Sequence, residues 1–175
     1  MHAEQVKRIE RLIRELRFGN RVRGAGALRR LLMAGNDRYA FCCLGVACDL
    51  TVKEDIGYWP GNGPVFQIKN HTNSSSQAMP LQVQMYYGFR TPEGSLSSTI
   101  HGEGGFGPMA YNTSLMILND SRASGPLAHA QPTIMMPGVA RHPIAKPKFT
   151  FWQIAGFIER EMMFRLGGGD SLMFT

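Results

Sequence analysis

Cysteine is scarce in this 175-residue chain, and its three copies all fall between positions 42 and 48. An odd, clustered set makes a poor disulfide framework, and a reducing, cytosolic setting is expected, the host cytoplasm if the chain is phage-encoded. Long apolar runs are missing as well. None approaches the ~20 residues a membrane-spanning helix needs. The opening MHAEQVKRIERLIREL interleaves charge with its apolar positions, unlike a secretory signal peptide. Acid is thin at the start: residues 1–30 hold Glu4, Glu10 and Glu15 against nine Lys and Arg, so this segment alone carries the formal net charge of +6. Such asymmetry attracts nucleic acid, anionic ligands or an acidic partner, or else it is a solvated helix face. With 43% hydrophobic and 18% charged residues the composition is ordinary for a globular protein. The length suits a single domain over residues 1–175 with a real core. There is no internal repeat.

Ile9, Leu12, Ile13 and Leu16 recur at i, i+3, i+4, i+7 and predict an amphipathic helix over about residues 3 to 17, stopped by Gly19-Asn20. Leu28, Leu31 and Leu32 suggest a second, short helical piece closed by Gly35-Asn36. AFCCLGVACDL, residues 40–50, reads as a third helix with almost no polar face, hence buried on most sides. Gly45 within it costs about 1 kcal/mol of helix propensity against Ala, which predicts close approach by another element. Val65 to Ile68 reads as a short strand after the turn-rich Tyr58 to Pro64, and Asn70 to Gln77 as a polar loop. Pro80 is placed as a first helical residue, with the helix ended by Gly88. Thr113 or Ser114 caps a compact helix built on Leu115 to Leu118. Thr150 with Gln153 forms a capping box, with Phe149 and Ile154 as a staple across it. Ile154, Ala155, Ile158 and Met162 then line one face of a last helix that ends at Gly167 to Gly169. The fold class is therefore mainly α with a few short strands, α+β, around a buried central helix.

Candidate sites are few. Structural zinc takes two ligand pairs spaced two to four residues apart. The three thiols have no second pair, so no metal site is expected, and no cofactor. A catalytic thiol needs a lowered pKa, for which a helix N-terminus serves. Cys42 or Cys43 at such a start, with His101 and then Asn119 or Asp120, repeats the order of papain-like hydrolases. The flanking Phe41 and Leu44 argue instead for buried, inert thiols. Gly102 to Gly107 lacks the lysine of a P-loop. Tyr86 and Tyr87 beside Arg90 offer rings on which a base would stack, with core or rim packing as the plain alternative. Arg17, Arg21 and Arg23 are candidate contacts for an anion. Asn119 and Asp120 form a candidate ligand pair whose structural role would be a helix C-cap and turn.

The blocks LRFG at 16–19, FCCLGVACDL, MPLQVQMYYGF, LND and FTFWQIAGFIE, in that order, resemble a group of small proteins encoded by bacteriophages and some bacteria. Members look like "FCCLGVLCDL … LND … SFxxIAxxIE". The resemblance spans Leu16 to Glu159 and implies a phage origin rather than a mechanism. Tyr86-Tyr87 stand where the group more often has a Trp-containing pair. Residues 60–78, 91–111 and 121–148 look like insertions between shared blocks, and their polar or Pro/Gly-rich composition predicts surface loops, where binding function tends to reside.

These readings converge on a phage-encoded, non-catalytic accessory protein that binds a host protein or an anionic, nucleotide-like small molecule, with counter-defence as one expected role. Nucleic-acid binding through the basic N-terminal third is the second class, and a cysteine-dependent hydrolase the third. Self-association into a homo-oligomer stays open.

Overall fold

The computed structural model describes residues 1–33, 36–95, 114–120, 149–169 and 173–175. Helix α1 (Ala3–Phe18) buries Ile9, Leu12, Ile13 and Leu16, the stripe its periodicity predicts. A short strand β1 (Val22–Arg23) follows, then a hairpin of β2 (Arg29–Met33) and β3 (Asn36–Phe41). These strands form one sheet in the order β1-β3-β2, with β1 parallel and β2 antiparallel to β3.

The hairpin corrects the helix expected over residues 28–32. Leu28, Leu31 and Leu32 match a helical spacing, but Arg29 pairs with Phe41, Arg30 with Ala40 and Leu31 with Tyr39. Pairing with β3 overrides the local pattern, and successive side chains then alternate between the two faces.

Helix α2 (Cys43–Val52) begins after β3, three residues later than expected, because Ala40 and Phe41 are spent in the ladder. Its residues 43–48, together with Leu50 and Thr51, are buried. Gly45 explains how. A Cβ built there would lie 1.7 Å from the Leu28 carbonyl oxygen and 2.6 Å from its carbon. The chain entering β2 thus lies against the helix backbone, as the glycine predicted. The same carbonyl accepts from Cys42 N at 3.2 Å.

A second antiparallel sheet follows in the order β4 (Gly57–Tyr58), β5 (Phe66–Ile68), β6 (Ser74–Ser75). Phe66 and Ile68 are buried, so the stretch 60–78 is not wholly a surface loop: alternation along β5 delivers two core side chains. The expected polar loop 70–77 likewise contains β6. Helix α3 (Leu81–Tyr87) takes Pro80 as its N-cap, one place earlier than predicted, and ends at Gly88 with φ +76°. That left-handed conformation suits glycine.

Helix α4 (Leu115–Asp120) packs on α2. Helix α5 (Phe151–Leu166) carries the predicted Thr150–Gln153 capping box and buries Ile154, Ala155, Ile158 and Met162 against the core, packing most extensively on α1. Phe149 sets its ring edge on Phe157, 5.5 Å between centroids. Buried side chains from all five helices join Phe41, Phe66, Ile68 and Phe174 in one hydrophobic core. The architecture is α+β around the buried α2. The predicted insertions 91–111 and 121–148 lie outside the described residues, apart from 91–95. Among the described residues no helix is long and apolar enough to cross a membrane.

Candidate functional site

The thiols sit at the start of α2 and within it. Cys42 is the N-cap, and its Sγ accepts from Gly45 N at 3.2 Å, in the place where Ser or Asp usually stands. Cys43 Sγ donates to the Leu115 carbonyl at 3.4 Å. All three cysteines are free and buried, at 4%, 2% and 0% exposure. Burial pushes the Cys48 thiol up, away from the reactive thiolate. His101 lies outside the described residues. Asp120 closes α4 with its backbone, and its side chain is likewise outside them.

Cys43 and Asn119 do meet, through the peptide rather than the thiol. Asn119, fully buried, accepts from Cys43 N at 3.2 Å and donates from Nδ2 to Gly24 O at 2.8 Å. Its own carbonyl accepts from Arg23 Nη2. One amide side chain therefore ties the first turn of α2, the exit of β1 and α4 together. It satisfies an N-terminal helix N–H that has no partner within the helix.

The other arginines singled out are also held within the fold. Arg17 grips Glu159 with two bonds of 3.2 and 2.6 Å and lies 5.5 Å from the Trp152 ring centroid. This contact holds the Glu159 carboxyl below its ordinary range. Arg21 bridges Glu15 and Asp49, and Asp49 in turn accepts from Trp59 Nε1 at 3.0 Å. Arg8 covers the Tyr86 ring at 4.2 Å and donates to the Tyr86 carbonyl. Tyr87 is 1% exposed, gives its hydroxyl to Ala47 O at 3.2 Å, and burial pushes its phenol up. It is core rather than a stacking platform. Arg90 is half-buried, and its N–H donates to Met173 O.

Sequence reasoning missed Arg29. At 6% exposure its guanidinium lies between the rings of Tyr39 (4.1 Å) and Trp59 (4.4 Å) and donates to the carbonyls of Gly61 and Gly63. Desolvation lowers its pKa, opposed by Tyr39 and Asp49. The only available signal was a basic residue beside a turn rich in glycine and aromatics, and the helix reading of 28–32 hid it.

The exposed face of the hairpin is different. Arg29 and Phe41 are buried and Leu31 and Tyr39 half-buried on one face, while Arg30, Leu32 and Arg38 are exposed, with Ala40 opposite Arg30 buried and the register shifting between Leu31 and Met33. Neither Arg30 nor Arg38 forms an ion pair with a described carboxylate. A separate open depression, lined by Val65 and residues 74–78, offers hydroxyls and an amide but no titratable group. Among the described residues no three His, Cys, Asp or Glu gather to hold a metal ion. No family model, curated protein or solved structure matches the chain.

Proposed function

We propose that the chain is a phage-encoded accessory protein without catalytic activity, which binds an acidic surface of a host protein through the outward face of the β2–β3 hairpin. The observation that carries this reading is the distribution of its arginines. Arg8, Arg11, Arg17, Arg21, Arg23 and Arg29 are all engaged by carboxylates, carbonyls or rings of the fold. Among the described residues Arg14, Arg30 and Arg38 are exposed without such a tie, and of these Arg30 and Arg38 share the β2–β3 hairpin with Leu32, which is 44% exposed. Two cations around one apolar side chain fit an acidic protein surface with an apolar centre. The burial of all three thiols supports the absence of covalent chemistry.

Duplex nucleic acid is the competing polyanion, and the internal engagement of Arg17, Arg21 and Arg23 weighs against it. The test uses the full chain and an Arg30→Glu/Arg38→Glu variant. Both are used for capture from bacterial lysate, and the captured protein is then purified and titrated at two salt concentrations. The reading expects an acidic partner whose affinity falls at least tenfold in the variant. Equal binding by parent and variant, or preferential binding of duplex DNA with a steep salt dependence, would overturn it.

A further inference from the structure

Seven asparagines occur in the chain, and Asn62 is the one followed by glycine. That dipeptide marks a turn, here the Gly61–Gly63 stretch between β4 and β5. It is also the pairing in which an asparagine amide is most open to attack by the next peptide nitrogen, because glycine has no side chain to hinder the approach. Folding commonly suppresses this reaction by burying the amide or by engaging the nitrogen. Neither happens at this turn. Asn62 and Gly63 are both exposed, nothing lies within 4 Å of a Cβ built on Gly63, and Gly63 N donates to no described group. Asn119 shows the opposite arrangement, fully buried with both ends of its amide held.

The fold also supplies an activating group. The Tyr39 hydroxyl donates to Asn62 Oδ1 at 2.7 Å, so it stabilises the negative charge that this oxygen gains as a nucleophile adds to the carbonyl carbon. Arg29 lies 4.1 Å from the centroid of the same Tyr39 ring. The turn is in addition the anchorage of Arg29, whose Nη2 reaches Gly61 O at 2.5 Å and Gly63 O at 3.0 Å.

We infer that Asn62 is a site of self-modification, activated by Tyr39, which converts through a succinimide to aspartate or isoaspartate, and that isoaspartate there loosens the join that Arg29 makes between the two sheets.

Water is the one co-reactant. Gly63 N gives its proton to solvent and bonds to Asn62 Cγ, and the side-chain nitrogen leaves as ammonia. Water then opens the ring at either carbonyl. Opening at the former side-chain carbonyl gives aspartate, which leaves the main chain unaltered and sets a carboxylate where the Tyr39 hydroxyl can still donate. Opening at the main-chain carbonyl gives isoaspartate, which routes the chain through the side chain and adds one atom between Gly61 O and Gly63 O. A single guanidinium nitrogen that spans both carbonyls then loses one of them.

Incubating the full chain for several days at mildly alkaline pH tests this, with peptide mapping by mass spectrometry to locate the amide-to-acid mass shift and chromatography to separate aspartate from isoaspartate. Conversion is expected at Asn62 at least tenfold faster than at Asn119. Gly63→Ala, for whose methyl there is open space, should slow it at least tenfold. Tyr39→Phe, which keeps the ring against Arg29 and removes the hydroxyl, should slow it severalfold. The isoaspartate form, separated from the fresh protein, should unfold at a lower urea concentration, whereas Asn62→Asp should keep the parent midpoint. A native parent that keeps Asn62 intact while the chain unfolded in urea converts it would overturn the inference. So would Tyr39→Phe converting as fast as the parent, or an isoaspartate form as stable as the fresh protein.

Discussion

Replacing Gly45 by alanine is the sharpest perturbation the fold offers, because a single methyl group meets main chain rather than a movable side chain. The added Cβ would sit 1.7 Å from Leu28 O, against an ordinary contact of 3.4 Å or more, so the Leu28 peptide must retreat by roughly that difference. Two hydrogen bonds hold that peptide where it is, Cys42 N to Leu28 O at 3.2 Å and Leu28 N to Ser76 O at 2.7 Å. Overpacking costs about 1 to 3 kcal/mol, and each strained backbone bond about 1 kcal/mol. Alanine returns about 1 kcal/mol of helix propensity. The net expectation is a loss of about 2 to 4 kcal/mol, a large part of the 5–15 kcal/mol typical of a domain. Urea unfolding followed by far-ultraviolet circular dichroism reads this as a lower midpoint at an unchanged slope. Gly63→Ala is the control, since nothing lies within 4 Å of its Cβ, and it should be neutral or slightly stabilising. A Gly45→Ala protein as stable as the parent would refute the claim that the entry to β2 lies on the α2 backbone.

Three further outcomes follow from the site. The buried thiols should resist alkylation at neutral pH until the chain unfolds, and Cys42→Ala should cost about 1 kcal/mol through loss of the cap, with Cys42→Ser costing less; rapid labelling of the native protein would contradict this. Asn119→Ala leaves Cys43 N and Gly24 O without their shared partner, and unfolding should show a loss of about 2 to 4 kcal/mol. Glu159, held below its ordinary pKa by Arg17, contributes stability above the usual carboxylate range and loses it as pH falls through the depressed value. Glu159→Gln should therefore be less stable than the parent at pH 7, by under about 1 kcal/mol for so exposed a pair, and the gap should close in acid. A gap independent of pH would point to packing instead.

What the sequence disclosed was local. The α1 stripe, the Thr150 capping box and the stop at Gly88 each depend on residues within a few positions, and each stands in the structure. Gly45 was legible for a related reason: a glycine in an apolar helix needs a neighbour, though not which one. The β2–β3 hairpin was hidden because adjacent leucines fit either period, and the choice was made by pairing with residues ten or so positions away. Asn119 was read as a helix cap or a ligand contact. Its actual partners, Cys43 and Gly24, stand 76 and 95 residues away in the chain, and no spacing rule reaches that far. The arginines illustrate the same limit from the other side. Their clustering marked a basic segment, but only the fold shows that most are internal ties and that Arg30 and Arg38 are turned outward.

Arg29 gives the molecule a join of a different kind from its ion pairs. It fastens β2 of the first sheet to the Gly61–Gly63 turn that links β4 and β5 of the second, using peptide carbonyls and aromatic faces. Those partners take up no proton in mild acid, and guanidinium gives none up. Moderate acidity that releases Glu159 from Arg17, and so loosens α5 from α1, leaves this join chemically untouched. The two ties therefore answer differently to pH: the ion pair weakens in acid, by under about 1 kcal/mol for so exposed a pair, while the join made by Arg29 keeps its strength.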